Sequence, residues 1–153
     1  MKKNILITGG CGFIGSNFIN FFIRNCEDYN VVNLDSLTYA ANPENIDVSG
    51  YDSRYNFMEG DISNKELLFE IFNNYKIDGV IHFAAESHVD NSINSPDIFI
   101  KTNVNGTFNL IDTAFKFWME RPFQYKKEYH NSKFLHVSTD EVYGSLGDTG
   151  LFT

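Results

Sequence analysis

Two adjacent carboxylates near the end of the chain are the clearest candidates for acid–base chemistry. Asp140 and Glu141 lie in the stretch STDEVYG, directly after the apolar run FLHV. One carboxylic acid can donate a proton while its ionised neighbour accepts one, because nearby like charges drive the two pKa values apart. A polar turn with two solvated carboxylates would give the same pattern. The residue types therefore indicate proton transfer without naming a reaction.

The glycine-rich stretch ITGGCGFIGS near the amino terminus is suited to binding phosphate groups. It matches G-x-G-x-x-G at Gly10, Gly12 and Gly15, and G-x-x-G-x-x-G when counted from Gly9. In a strand-to-helix turn, such glycines let a pyrophosphate approach the backbone, and the helix N-terminus offers N–H groups to it. A plain structural turn is the alternative. The apolar run before the glycines and the helical pattern after them favour dinucleotide binding.

Acidic residues at the ends of two predicted strands extend this hypothesis. Asp35 ends the second strand 20 residues after Gly15, where a carboxylate would bind the ribose hydroxyls of NAD. An NADP site would favour an arginine there, and the next basic residue is Arg54. Asp61 ends the third strand, and it is expected either to contact the adenine or to serve only as a turn residue.

Two other groupings look catalytic but are better explained without catalysis. Ser87, His88 and Asp90 in AAESHVDNS are too close in sequence to relay a proton as a triad, and a metal site would need further His or Cys ligands. We interpret His88 and Asp90 as part of a polar loop that covers the cofactor. Tyr129 and Lys133 have the spacing of a Tyr-x-x-x-Lys pair, but that pair needs a helix and Lys133 is predicted to begin a strand. We interpret this match as a coincidence.

Five short apolar runs, each bounded by Gly, Asp or Asn, alternate along the chain with helical patterns. Such runs are typical of strands buried on both faces of a parallel sheet. The predicted strands are 4–8, 29–35, 55–61, 79–85 and 133–139, the predicted helices are 13–25, 63–75 and 95–120, and 36–54 is a polar loop. This alternation predicts an α/β fold, a doubly wound parallel Rossmann sheet with helices on both faces, truncated after about five strands. We expect a single, incomplete domain over 1–153.

The predicted helices carry local signals at their starts and in one interior. Ser63 and Glu66 match a capping box, and Ser95 followed by Pro96 matches an N-cap and first helical position. Gly106 inside the third helix costs about 1 kcal/mol relative to Ala. A glycine retained at that cost predicts close packing there.

Charge and cysteine content limit the possible partners and location. The net charge is −8, and no lysine–arginine cluster is large enough to neutralise a nucleic-acid backbone or bind an anionic membrane. The two cysteines show no pairing or zinc-site pattern, and the first apolar run is too short for a signal peptide or a membrane span. We therefore expect a cytoplasmic protein that holds no metal.

Taken together, the motifs resemble one enzyme family. The stretches TGGCGFIGSN, DSLTYAAN, GDI, AAESHVDNSI, TNVNGT and STDEVYG are similar to the nucleotide-sugar dehydratases of the extended short-chain dehydrogenase/reductase family, from Lys3 to the end of the chain. The Asp–Glu pair and the AAESHVD stretch are close to the 4,6-dehydratase form. The resemblance implies NAD as cofactor, dTDP-glucose as substrate and a homodimer for the full-length enzyme.

The resemblance also implies a role for individual residues. Glu141 would be the general base that removes the C5 proton of the sugar, and Asp140 would be the general acid that protonates the departing C6 hydroxyl. Thr139 and Ser87 would hold the sugar near C4. Contacts to NAD are implied for Gly9, Gly12, Phe13, Ile14, Gly15, Asp35, Ser36, Leu37, Thr38, Asp61, Ile62, Phe83, Ala84, Ala85, Glu86, Ser87 and Thr102.

Departures from the family pattern shape the remaining expectations. The family places a Tyr-x-x-x-Lys helix and a sugar-nucleotide domain after STDEVYG, and neither lies within these 153 residues. We therefore expect the 153-residue chain to bind NAD without turning over substrate, and to self-associate or be only marginally stable. The alternatives are a related UDP-sugar dehydratase or decarboxylase, and a non-catalytic NAD-binding module. Retention of Asp140 and Glu141 argues against the module.

Overall fold

The structure, a computed structural model, describes residues 2–144. Its seven strands are β1 Lys3–Thr8, β2 Tyr29–Asp35, β3 Tyr55–Glu59, β4 Gly79–His82, β5 Met119–Arg121, β6 Gln124–Tyr125 and β7 Lys133–His136. Five of them form one parallel sheet in the order β3-β2-β1-β4-β7, which confirms all five predicted strands. The short antiparallel pair β5–β6 was not predicted.

The helices that connect these strands are close to the predicted ones, apart from a short helix, Val89–Asn94, that the sequence did not predict. They are α1 Phe13–Asn25, α2 Lys65–Tyr75, α3 Val89–Asn94, α4 Pro96–Phe99 and α5 Thr107–Trp118, and a π-helical segment, Ile100–Gly106, joins α4 to α5. Single-turn 3₁₀ helices cover Pro43–Asn45, Asp52–Arg54, Lys127–Tyr129 and Asp140–Tyr143. The region predicted as a third helix, 95–120, is therefore helical from Pro96 to Trp118, and its middle part is π-helical.

The capping prediction for α2 was wrong by one residue. Asn64, not Ser63, is the N-cap, and its side-chain oxygen accepts a hydrogen bond from the Leu67 N–H at 3.0 Å. Asn and Ser are nearly equivalent as N-caps, so sequence alone could not decide between adjacent candidates.

Two apolar clusters cover the two faces of the sheet. On one face, Leu6, Val32 and Val80 pack with side chains of α2 and α5, including Phe72 and Trp118. On the other face, Ile5, Ile7 and Val31 pack with Ile19 of α1. Because successive strand residues point to opposite faces, β1 contributes to both clusters. The doubly wound arrangement predicted from the sequence is confirmed.

Candidate functional site

A cleft of about 860 Å³ lies where the strands of the sheet end. It lies at the carboxyl edge of the sheet, where open α/β folds bind their ligands. It is lined by Gly9, Gly12, Leu34, Asp35, Ser36, Thr38, Ala40, Ala41, Glu59, Gly60, Asp61, Ile62, Phe83, Ala84, Ala85, Glu86, Ile98, Lys101 and Thr102.

Most of the residues predicted to contact a cofactor lie in this lining. The predicted residues outside the lining are Phe13, Ile14, Gly15, Leu37 and Ser87. Phe13 and Ile14 are well exposed in the first turn of α1, and Gly15 is buried against the glycine loop. The structure therefore brings the predicted segments together, although it does not put every predicted side chain on the cleft wall.

The glycine loop between β1 and α1 is tightly packed at three of its glycines, since a Cβ at Gly9, Gly10 or Gly15 would collide with neighbouring atoms. Gly9 has φ +72°, and a Cβ at this position would lie 2.5 Å from the backbone nitrogen of Ala84. A Cβ at Gly15 would collide with the carbonyl oxygen of Gly9. Gly12, the N-cap of α1, lines the cleft, and a Cβ there would meet only the Gly9 oxygen at 3.4 Å. Thus the three packed glycines serve the fold, whereas Gly12 keeps the helix N-terminus accessible from the cleft.

Asp35 joins the glycine loop to the loop after β2. Its side chain accepts hydrogen bonds from the N–H of Cys11 at 2.8 Å and from the N–H of Leu37 at 2.9 Å, and the residue is buried. Burial, together with the nearby Asp35 charge, raises the pKa of the Cys11 thiol to about 11. Cys11 is therefore a protonated thiol in the floor of the loop, and Asp35 faces the cleft from a fixed position.

Arg54, the nearest basic residue after Asp35, donates its hydrogen bonds to backbone carbonyls near the end of α1. Its guanidinium donates to the carbonyl oxygens of Cys26 and Tyr29, at 3.0 Å each, and to that of Ile23. The side chain is buried and caps the end of α1. It therefore does not supply a cation for a 2′-phosphate.

Asp61 lies in the lining at the turn after β3. Its side chain accepts from the N–H of Ser63 and forms an ion pair with Lys101, each at 2.8 Å. Burial alone would raise the pKa of Asp61, but these hydrogen bonds hold it below the ordinary value. The sequence prediction of Asp61 did not include Lys101, because the two residues are 40 positions apart.

The loop after β4 is held in place by a side chain that the sequence did not single out. The Asn103 amide accepts from the backbone N–H of Glu86 at 2.8 Å and donates to the carbonyl oxygen of the same residue at 2.9 Å. Asn103 belongs to the π-helical segment, a local geometry that is frequent at functional sites. The TNVNGT stretch, which the sequence singled out only through the family resemblance, therefore contains the side chain that fixes the backbone of Glu86.

The loop after β2 reaches across to the loop after β4. Tyr39 donates to a side-chain oxygen of Glu86 at 3.4 Å, and its ring lies 5.3 Å from that of His88. His88 is exposed and is the N-cap of α3, whereas Asp90 lies within this helix, so the interpretation of both as part of a polar loop was wrong for Asp90. The flanking Ala40 and Ala41 line the cleft. The polar 36–54 segment thus contributes to one wall of the site.

The predicted acid–base pair follows β7, the neighbour of β4. His82 and His136 are paired in register at the ends of these two strands, so the segments that follow them leave the same edge of the sheet side by side. The backbone at Asp140 and Glu141 forms a 3₁₀ turn, while their side chains lie outside the described part of the structure. Tyr129 ends one 3₁₀ turn and Lys133 begins β7. The two do not share a helix, so the interpretation of their spacing as a coincidence is confirmed.

A fully buried histidine connects the sheet to α5 beneath this region. His82 Nδ1 lies 2.6 Å from Thr8 Oγ1, and Nε2 lies 2.9 Å from Thr107 Oγ1. Burial, aided by the nearby His136, lowers the pKa of His82 to about 4. At neutral pH the ring is uncharged, so it bonds to both hydroxyls as one donor and one acceptor.

Two further features bear on the kind of site. Among the side chains described within residues 2–144, which leave out those of Asp140 and Glu141, no group of three or more His, Cys, Asp or Glu is arranged to hold a metal ion. No helix in the same range is both long enough and apolar enough to cross a membrane.

The parallel sheet, its two helical layers and the glycine loop define a Rossmann-type α/β domain. The profile of the GDP-mannose 4,6 dehydratase family matches residues 6–152, and the chain belongs to this family.

Known relatives refine this assignment. A dTDP-glucose 4,6-dehydratase from Neisseria gonorrhoeae is 47% identical over an alignment of 153 positions that covers 99% of this chain and 43% of that protein. A dTDP-glucose 4,6-dehydratase from Bacillus anthracis, solved in complex with NAD, has a TM-score of 0.77 and 40% identity and covers 99% of this chain and 42% of its own. A UDP-glucose 4-epimerase from Thermotoga maritima, with UDP-glucose, has a TM-score of 0.66 and 33% identity over 74% of this chain and 34% of its own. The chain thus spans less than half the length of the relatives it matches.

Proposed function

We propose that the chain is the NAD-binding part of a dTDP-glucose 4,6-dehydratase, which removes water from dTDP-glucose to give dTDP-4-keto-6-deoxyglucose. The observation that carries this proposal is the cleft at the ends of β1 to β4, at the same edge of the sheet from which the chain leaves β7 toward Asp140 and Glu141. The similarity to dTDP-glucose 4,6-dehydratases, at 47% identity, supports the sugar and the nucleotide. The lower identity to a UDP-glucose 4-epimerase favours the dehydratase over the epimerase reaction.

The residues of the cleft fit NAD. The cavity of about 860 Å³ falls within the range of small-molecule sites, and Gly12, the N-cap of α1, lines it. The first turn of α1 carries no acidic residue, so nothing in that turn opposes a pyrophosphate at the helix N-terminus. Asp35 would bind the ribose hydroxyls, and the commitment of Arg54 to backbone carbonyls favours NAD over NADP.

The remaining cofactor contacts are proposed from the same cleft. The wall made by Phe83, Ala84, Ala85 and Glu86 offers small side chains and a backbone fixed by Asn103. Ser36, Thr38 and Thr102 add hydroxyls to the lining. Phe13, Ile14, Gly15, Leu37 and Ser87, which lie outside the lining, are proposed as contacts on the family resemblance alone.

We assign the acid–base chemistry to the segment after β7. When bound, NAD would supply a reversible hydride acceptor for sugar C4 and C6; the tyrosine of the family's Tyr-x-x-x-Lys helix, which is not among these 153 residues, would accept the proton of the C4 hydroxyl, and Glu141 would return a proton to C5 as C6 is reduced. Glu141 removes the C5 proton, and the electron pair released by that C–H bond expels the C6 hydroxyl. Asp140 supplies the proton that lets this hydroxyl leave as water, while Thr139 and Ser87 hold the sugar near C4. Protonated and ionised carboxyls side by side suit these opposite tasks.

A homodimer is proposed from the outer face of the helical region that runs from α4 through the π-helical segment to α5. Ile100, Val104, Phe108, Ile111 and Phe115 recur every three or four residues and are 37–62% exposed. A continuous apolar stripe of this kind favours a protein partner over water. We also propose a cytoplasmic location, supported by two cysteines that are both unpaired.

Calorimetric titration of the 153-residue chain with NAD tests the proposal. We expect saturable binding by the wild-type chain and none by Gly12→Val, because the valine would occupy the place of the pyrophosphate. Gly12 has φ −72°, so the variant should still fold, with a cost of about 1 kcal/mol at the N-cap.

The same preparation separates binding from turnover. We expect no dehydration of dTDP-glucose by these 153 residues, because the family's Tyr-x-x-x-Lys helix is not among them. Absence of NAD binding by the folded wild-type chain would overturn the proposed function, and measurable dehydration would overturn the assigned need for that tyrosine.

A further inference from the structure

The charges around the cleft are unevenly distributed. Among the side chains that the structure describes, the lining contains four carboxylates, those of Asp35, Glu59, Asp61 and Glu86, and one cation, Lys101. A ligand with a pyrophosphate would meet a strongly negative site without this lysine. The position of Lys101 should therefore affect ligand binding more than the position of an ordinary surface lysine would.

Lys101 joins two walls of the cleft. It belongs to the π-helical segment, and its ammonium lies 2.8 Å from Asp61 Oδ2 in the turn after β3. The other Asp61 oxygen accepts from the N–H of Ser63 at 2.8 Å, so the carboxylate is held on both sides. The next residue of the π-helical segment, Thr102, also lines the cleft.

A second contact fixes the same turn against the same segment. A Cβ at Gly106 would lie 2.7 Å from Ile62 Cδ1, so the Ile62 side chain packs directly on the helix backbone. Ile62 follows Asp61, and both line the cleft. An apolar contact and an ion pair therefore both hold the turn against the π-helical segment. Of these two contacts, the ion pair is the one that reaches the Asp61 carboxylate.

We propose that Lys101 is a positioning residue for the adenine of NAD and acts through Asp61. This inference rests on the proposed NAD site. An ionised, oriented Asp61 accepts a hydrogen bond from the exocyclic amino group of adenine. The ammonium orients that carboxylate and lowers the cost of covering it with the ring, since a paired charge is less expensive to desolvate than an unpaired one.

NAD affinity of the full chain tests this role with three variants. We expect Lys101→Met, which keeps the aliphatic stem, to weaken NAD binding about fivefold. Lys101→Arg, which can restore the ion pair, should bind within about twofold of wild type. The matched control is Lys116→Met, because Lys116 forms a Lys–Asp pair at the same 2.8 Å and the same 59% exposure outside the cleft. The control should leave NAD affinity unchanged.

A cofactor analogue separates positioning from a general structural effect. Nicotinamide hypoxanthine dinucleotide carries a carbonyl oxygen, which cannot donate a hydrogen bond, where adenine has its amino group, and it is otherwise close to the same shape. The wild-type chain should prefer NAD over this analogue about tenfold. The preference should nearly disappear in Lys101→Met and in Asp61→Asn, and the double variant should resemble Asp61→Asn alone.

The possible outcomes are distinguishable. If the folded wild-type chain does not bind NAD, the proposed function fails and the inference falls with it. If the wild-type chain binds NAD and Lys101→Met retains the same preference over the analogue, the inference about Lys101 is overturned while the NAD site stands. Equal loss of affinity for both dinucleotides in Lys101→Met would likewise overturn it.

Discussion

Strands β1 and β7 are both short, apolar and parallel, yet their surroundings differ. The last four residues of β1, Ile5 to Thr8, are buried, with side chains covered by helices on both faces of the sheet. In β7, which pairs with β4 on one side, Leu135 remains 54% exposed within the described residues. A strand's apolar composition therefore does not establish its burial; the elements packed on it do.

The two faces of helix α5 show the same contrast between buried and exposed apolar side chains. One face of α5 buries Leu110, Ala114 and Trp118 against the sheet, and the Trp118 indole donates to the carbonyl of Ile77 at 2.7 Å. The opposite face exposes Phe108 and Ile111. The side chains of β1 are covered by the helices of the domain itself. By contrast, β7 and the outer face of α5 present apolar surface suited to further contacts.

The largest expected difference between the two regions is in core truncation. Leu6→Ala in β1 should lower the free energy of unfolding by about 2–5 kcal/mol, because it leaves a cavity in a fully buried site. Leu135→Ala in β7 should cost less than about 1 kcal/mol, since half of the side chain is already in water. Urea titration of both variants measures the difference, and equal losses would show that β7 is covered in solution.

The next effect is a pH dependence from His82. Its pKa is about 4 in the folded protein and 6.5 when unfolded, so the unfolded state binds more protons between these values. The free energy of unfolding should therefore fall as the pH is lowered from about 6.5 to about 4, by about 3 kcal/mol in total.

Urea titrations at several pH values within this window check the His82 prediction. His82→Gln should remove this part of the pH dependence, and the exposed His88→Gln should retain it. An identical pH profile for wild type and His82→Gln would contradict the lowered pKa.

The smallest effect on stability, but a clear one on association, is expected at the outer face of α5. Phe108→Ser should change the free energy of unfolding by no more than about 0.5 kcal/mol, because the ring is 62% exposed. It should shift sedimentation equilibrium from dimer toward monomer. A wild-type chain that stays monomeric at high concentration would remove the basis for the proposed dimer.

The elements of the fold were predictable because their signals are local. The apolar runs gave all five sheet strands, and the predicted bounds of α1, 13–25, match those observed. Gly106 was predicted to mark close packing, and the contact with Ile62 confirms it. The choice of Asn64 over Ser63 as a cap, and the π-helical widening at Ile100–Gly106, depend on small backbone differences that residue types do not encode separately.

The site was predictable in its segments and less so in its contacts. The glycine loop, Asp35 and the loop after β4 each follow a predicted strand, so parallel strand order alone places them at one edge. Lys101 and Asn103 were missed because their partners, Asp61 and Glu86, are distant in sequence. Pairs of this kind have no local pattern.

The sequence by itself determined the strand–helix alternation, the glycine turn and the positions of the carboxylates, since each depends on residue type and short-range spacing. The tertiary structure alone decided which of two similar strands is buried, which lysine enters the cleft and which arginine is kept from it. These outcomes depend on distances between segments far apart in the chain. Burial, ion pairing and pKa all follow from those distances, and no stretch of neighbouring residues contains them.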